Sequence, residues 1–250
     1  MAIVNLSSDS FFSTTHANQA LILQTINYAI QNHAQIIDIG ACSTRPDSTP
    51  VTEEQELQLL IPALTLVRKH YPNIIISLDT FRSKVALNTI KTFNIDIIND
   101  ISGAPDETML NLLKQQKKAY ILTFNEPLNP TANILSDCLS FFNKKINLLR
   151  QHQITDIILD PGFGFNKTIE QNFLLLNNLH ILKHFSLPIL AGISHKSMLY
   201  KTLHTTPKNA AFATNTANTI AILKGANIIR AHDPHNTDHA IQIIHAITLS

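Results

Sequence analysis

Short runs of apolar, mostly β-branched residues recur along the chain, separated by stretches whose apolar positions fall at helical spacing. The runs predict strands at Ala2–Asn5, Ile36–Gly40, Ile74–Asp79, Asp96–Ile101, Ala119–Phe124, Asp156–Asp160, Pro188–Ile193 and Ile228–His232. Helical periodicity marks Ala20–Asn32, Glu53–His70, Lys84–Phe93, Ile134–His152 and Ala210–Lys224 between them. Several of the runs are apolar at every position, which suits strands covered on both faces, as in parallel sheets. Eight strands alternating with helices in this length predict an α/β fold, the (β/α)₈ TIM barrel. An open doubly wound sheet is the competing arrangement.

The strand ends change the picture most. Read at their carboxyl ends they carry Asn5, Asp38, Asp79, Asn99, Asp160, the loop lysine Lys196, and Arg230 with His232. Only the fifth, ending Thr123-Phe124, lacks an ionisable or amide group. One such Asp is an ordinary cap or turn former. Repetition around a barrel is not, because polar groups beside a core are unfavourable unless paired or bound. A barrel collects these ends at one mouth, where its ligands bind. The sixth strand is the clearest case: Asp160 is followed by Pro161, which cannot donate to a ladder, and by Gly162 and Gly164, which permit close backbone approach.

Two chemistries follow. Asp38, Asp79, Asn99 and Asp160 offer mainly acceptors, suited to the aminopyrimidinone edge of a pterin-like or guanine-like ring. Arg45, Lys196, Arg230 and His232 offer cationic donors for phosphate or carboxylate, and the amide oxygen of Asn5 could hold a hydrated Mg²⁺ against a phosphate. Phe165 could flank a ring, whereas Phe163 reads as core. His235 and His239 read as surface residues of a last helix rather than metal ligands with His232.

Composition adds boundaries. The chain has 250 residues, 44% of them hydrophobic and 15% charged, with a formal charge of +1. No linker or charge block divides it, so residues 1–250 are expected to form a single domain. Neither a nucleic-acid surface nor a membrane segment is indicated. Cys42 and Cys138 lie far apart, with no metal-ligand spacing, and a cytoplasmic location is the default.

In order, the motifs are Ile3-Val4-Asn5-Leu6-Ser7-Ser8-Asp9-Ser10-Phe11, Ile37-Asp38-Ile39-Gly40-Ala41-Cys42-Ser43-Thr44-Arg45-Pro46, Ser77-Leu78-Asp79-Thr80 and Ile98-Asn99-Asp100-Ile101-Ser102-Gly103. The Asp160 stretch, Gly192-Ile193-Ser194-His195-Lys196-Ser197 and Ile229-Arg230-Ala231-His232-Asp233 complete them. The set resembles the dihydropteroate synthase family of pterin-binding enzymes. The resemblance implies condensation of 4-aminobenzoate with 6-hydroxymethyl-7,8-dihydropterin diphosphate, with release of pyrophosphate. Asp79, Asn99, Asp160 and Lys196 would grip the pterin, with Asp38 in support. Asn5, Arg45, Arg230 and His232 would hold the diphosphate with Mg²⁺. Thr44, Lys196 and Ser197 would border the aminobenzoate, and the loops Ser8–His16 and Ala41–Pro50 would close over the site. Lys196, Arg230, His232 and Asp160 are the expected catalytic residues. The resemblance further implies a homodimer and, in some members, union with the pterin pyrophosphokinase in one polypeptide.

Departures from the family pattern are His195 for Arg, Cys42 for Glu, Asn166 for Gly, an altered first loop, and Thr123-Phe124 for Met-His. The chain also starts inside the first strand, without the short leader expected before it. These departures leave room for a catalytically impaired pterin-binding paralogue. A methyltetrahydrofolate-binding methyltransferase domain would share the ring grip, but it has no need of the four cationic groups.

Overall fold

The computed structural model describes residues 1–6, 16–41, 51–103, 105–127 and 133–249. Six strands form one parallel sheet in sequential order: β1 (Ala2–Asn5), β2 (Ile36–Gly40), β3 (Ile75–Asp79), β4 (Ile97–Asp100), β5 (Ala119–Thr123) and β6 (Ile157–Asp160). β7 (Leu190–Ala191) and β8 (Ile228–Ile229) form a second parallel pair. Backbone bonds join the two into a ring. Leu159 N–H donates to Pro188 O at 2.8 Å on one side, and Ile3 N–H to Ala231 O at 3.0 Å on the other. Single bridges at Leu159–Ile189 and Ala2–Ala231 mark the two seams. The result is the expected (β/α)₈ barrel.

Helices follow the strands: α1 (His16–Gln31), α2 (Glu53–His70), α3 (Ser83–Ile90), α4 (Glu107–Gln116), α5 (Ile134–Gln151), α6 (Ile169–Asn177), α7 (Ser197–Thr202), α8 (Ala211–Leu223) and α9 (Pro234–Leu249). Short 3₁₀ turns lie at Leu179–Phe185 and Pro207–Ala210. α2 shows how local sequence sets a boundary. Thr52 and Gln55 make a reciprocal capping box, acidic residues fill the first turn, and Arg68, Lys69 and His70 occupy the last. Its ends match the expected ones.

Two expected strands are much shorter than their apolar runs. The sequence predicts Pro188–Ile193 and Ile228–His232, but only two residues of each join a ladder. A side chain takes over there: Asn227 Oδ1 accepts from Ile189 N–H at 2.9 Å, in place of a strand partner. Three helices that periodicity did not single out, α4, α6 and α7, are also present. α4 and α6 carry caps visible in hindsight, Asp106 accepting from Met109 N–H and a second capping box at Thr168 and Gln171.

Packing divides into two cores. A large cluster fills the shell between strands and helices. A smaller one, Ile97, Ile121, Ile158 and Leu190 with Met1, Ile36, Ala119 and Ile228, plugs the barrel interior. Strand side chains alternate faces, so the residue two positions on faces the same interior. From Ile36, Ile97, Ile121, Ile158 and Ile228 that step leads to Asp38, Asn99, Thr123, Asp160 and Arg230. The interior is thus apolar at one level and polar at the next level towards the strand ends.

Candidate active site

Arg230 organises the polar level. It is only 8% exposed, and its Nη2 donates to Asp160 Oδ2 at 2.8 Å, while its Nε lies 4.0 Å from Asp38 Oδ2. Asn99 Nδ2 donates to the same Asp38 carboxylate at 3.0 Å, and Gly162 N–H donates to Asp160 Oδ1 at 2.8 Å. Four side chains from distant strands therefore form one connected network. Sequence reasoning set Arg230 among anion-binding groups opposite the acids. The structure instead places it between two of them, because buried carboxylates need a counter-charge.

Asp79 stands beside this network against Gly40, where an added Cβ would lie 3.0 Å from the Asp79 Cβ. Burial, and then the nearby Asp38, push its carboxyl up to about 8. Burial likewise raises Asp38, against the opposing pull of Arg230. Lys196, at the start of α7, lies over the Phe165 ring with Nζ 4.3 Å from the centroid. Burial, followed by the charge of Arg230, lowers its ammonium to about 8. Three carboxylates thus face two cations, and the set favours a ligand that brings N–H donors.

Inside the same level, Asn99 Oδ1, Thr123 Oγ1 and Arg230 Nη1 are buried without a partner. A ring edge carrying both donors and acceptors would satisfy such groups. Gly192 lies beneath the guanidinium; a Cβ there would sit 2.9 Å from Arg230 Nη2.

The rim is more open. His232 is exposed, its Nδ1 is 3.0 Å from Ser194 Oγ, and its ring stacks on His195 with centroids 5.0 Å apart. Although Arg230 and His232 are two residues apart, one is buried in the network and the other stands on the surface. Ser197 is half-buried at the first position of α7, next to Lys196. Asn5 is exposed at the end of β1, next to Gly40 in register. As an exposed neutral oxygen it fits a largely hydrated Mg²⁺ shared with a phosphate. Among the described residues, no three His, Cys, Asp or Glu side chains cluster as a metal site. Thr44, Arg45 and Cys42, and most of the two loops expected to close the mouth, lie outside the described residues.

Lys167 was not singled out from the sequence. Its Nζ donates to the carbonyls of Phe124 (2.7 Å), Gly162 (3.0 Å) and Phe165 (3.1 Å), tying the β5 end to the β6 loop. That loop needs its glycines: Gly162 has φ +65°, and a Cβ there would lie 2.3 Å from Phe124 O. Asn166, where the family pattern has Gly, takes φ +46°. Phe163 is core, and His235 and His239 are exposed on α9, as their sequence context suggested.

The fold and this network define a (β/α)₈ barrel protein with a buried polar cluster at its strand ends. The family described as pterin binding enzyme matches residues 1–232. A dihydropteroate synthase of Synechocystis is 36% identical over 245 residues, spanning 93% of this chain and 84% of that one. The structure of a Clostridium difficile dihydropteroate synthase, determined in the presence of pteroic acid, superposes with a TM-score of 0.93 at 30% identity; the match covers 99% of this chain and 95% of that one. The folic acid synthesis protein fol1 of Pneumocystis carinii is 36% identical over 249 residues, 93% of this chain but 34% of that longer protein. The chain belongs to the dihydropteroate synthase family of pterin-binding enzymes.

Proposed function

We infer that the chain is a transferase of folate biosynthesis, joining 4-aminobenzoate to 6-hydroxymethyl-7,8-dihydropterin diphosphate to give 7,8-dihydropteroate. The supporting observation is the polar level inside the barrel, where Asp38, Asn99, Asp160 and Arg230 form one network with unpartnered donors and acceptors. The pterin edge lies against Asp79, Asn99 and Asp160, with Asp38 holding Asn99, and Phe165 and Lys196 flank the ring. The amine nitrogen of 4-aminobenzoate attacks the methylene carbon as its C–O bond breaks, and pyrophosphate leaves with the bonding electrons. The amine then loses a proton to solvent. His232 and Arg45 stabilise charge gathering on the leaving group, Arg230 holds the carboxylates that face the ring, and Thr44, Lys196 and Ser197 border the aminobenzoate. Asn5 would hold Mg²⁺, which would supply further charge neutralisation when bound.

The test is dihydropteroate formation from the two substrates with Mg²⁺, repeated with Lys196→Ala and Asp160→Asn. Loss of product in both variants is the expected result, and full activity in both sinks the assignment. Pterin binding without product by the unaltered chain would instead favour an impaired paralogue, the reading that His195 raises.

Residues 1–250 serve here as one barrel domain in the cytoplasm; among the described residues no helix is long and apolar enough to cross a membrane. The working form is a homodimer. α6 and α8 expose Phe173, Leu174, Ile220, Leu223 and Phe212, the last 90% accessible, and a second copy would cover this apolar face. Phe212→Glu with Leu223→Glu should turn a dimer into a monomer in sedimentation analysis. The larger fungal relative, a folic acid synthesis protein, is in keeping with a working association between this chain and another enzyme of that synthesis, the pterin pyrophosphokinase being the partner inferred here.

A further inference from the structure

Thr123 closes the strand in whose end the sequence showed no ionisable or amide group, and the structure gives its hydroxyl an unusual position. It closes β5 two residues beyond Ile121, so its side chain belongs to the interior polar level. It is fully buried, and its hydroxyl oxygen has no partner. Its register neighbour, Asp160, makes no hydrogen bond to it; Asp160 Oδ1 accepts from Gly162 and Oδ2 from Arg230. The methyl is fixed against the β6 turn: a Cβ on Gly162 would lie 3.2 Å from Thr123 Cγ2.

A buried hydroxyl without a partner is unfavourable by about 1–3 kcal/mol, and an apolar isostere would avoid that penalty. The family pattern places Met at this position, so the pocket wall does not require a hydroxyl to fold. A threonine held here is best accounted for by a ligand that meets it. We propose that Thr123 is a specificity residue, its hydroxyl bonding the heterocyclic ring alongside Asn99 and Asp160. This rests on the pterin reading above and extends it to a contact that the Met of the family pattern would not make. A hydroxyl both donates and accepts, so it discriminates among ring edges that a thioether would treat alike.

The test is calorimetric binding of 6-hydroxymethylpterin, which carries the ring without the diphosphate, to the unaltered chain, Thr123→Val and Thr123→Ser. The Val variant should bind about tenfold more weakly, one hydrogen bond's worth. The Ser variant should stay within about threefold of the unaltered chain. Without ligand, Thr123→Val should melt at the same temperature or higher, because it removes an unpaired buried group. In steady state, KM for the pterin diphosphate should rise while KM for 4-aminobenzoate holds. Equal pterin affinity in Val and unaltered chains overturns the proposal, as does a Ser variant as weak as Val. A lower melting temperature for Thr123→Val also overturns it, since the hydroxyl would then serve the fold. If the unaltered chain binds no pterin, the wider functional reading fails first, an outcome distinct from these.

Discussion

Replacing Arg230 with Met removes the single cation between two buried carboxylates while keeping most of the side-chain volume. At an effective dielectric of about 20, unit charges at the 4.0 Å Arg230–Asp38 separation attract by about 4 kcal/mol. At the 2.8 Å Arg230–Asp160 contact the figure is about 6 kcal/mol. Desolvation offsets much of both, and removing one partner of a buried pair typically destabilises by ~3–5 kcal/mol. The loss should depend on pH, and its sign can be worked out. Arg230 opposes the upward shifts of Asp38 and Asp79, so without it both carboxyls rise further. A carboxyl raised in the folded state binds more protons there than in the unfolded chain, so stability falls as pH rises between the two values. Arg230→Met should therefore lose ~3–5 kcal/mol near pH 8 and recover at least ~1.4 kcal/mol near pH 5.5, one pKa unit's equivalent. Urea unfolding at the two pH values measures this. Adding Asp160→Asn should restore part of the loss by removing the stranded charge. A deficit below about 1 kcal/mol, or one indifferent to pH, would refute the buried-network account.

Other expectations follow from the same site. The kcat/KM profile should be bell-shaped with its maximum near pH 8: Asp79 must lose its proton to accept from the ring, giving the rising limb, and Lys196 must keep its own, giving the falling one. Asp79→Asn should abolish the rising limb, measured across overlapping buffers. Gly192→Ala should displace the Arg230 guanidinium, weakening pterin binding by about tenfold while far-UV circular dichroism stays unchanged. Lys167→Met strands three carbonyls and should destabilise the chain by ~3 kcal/mol in urea titration; a loss under ~1 kcal/mol would show that water replaces the ammonium.

The barrel was legible because its strands write their burial into composition, and because the acids at their ends recur with the strands. Asp38, Asn99 and Asp160 could be named from position alone, since a strand's parity fixes which face a residue joins. Arg230 was named for the same reason but given a different partner. Its counter-ions lie 70 residues away at Asp160 and further still at Asp38, distances over which sequence specifies no pairing. Lys167 escaped notice for a related reason: its three acceptors are main-chain carbonyls, which leave no mark in the residue string. The shortened seventh and eighth strands show the limit of apolar runs as a guide. Residues can be buried like a strand while Asn227 supplies the hydrogen bond that a neighbour would have made.

The barrel wall is unevenly fastened. β1 to β6 are joined by continuous ladders, whereas β7 and β8 are held to each other over two residues and to the rest by isolated bridges. Lys196 and Arg230 ride on this lightly stitched sector, while Asp38, Asp79, Asn99 and Asp160 belong to the firmly laced one. The wall is therefore most easily deformed on the side that carries the two cations, where the Arg230 ion pairs to Asp160 and Asp38 stand in for the missing backbone pairing.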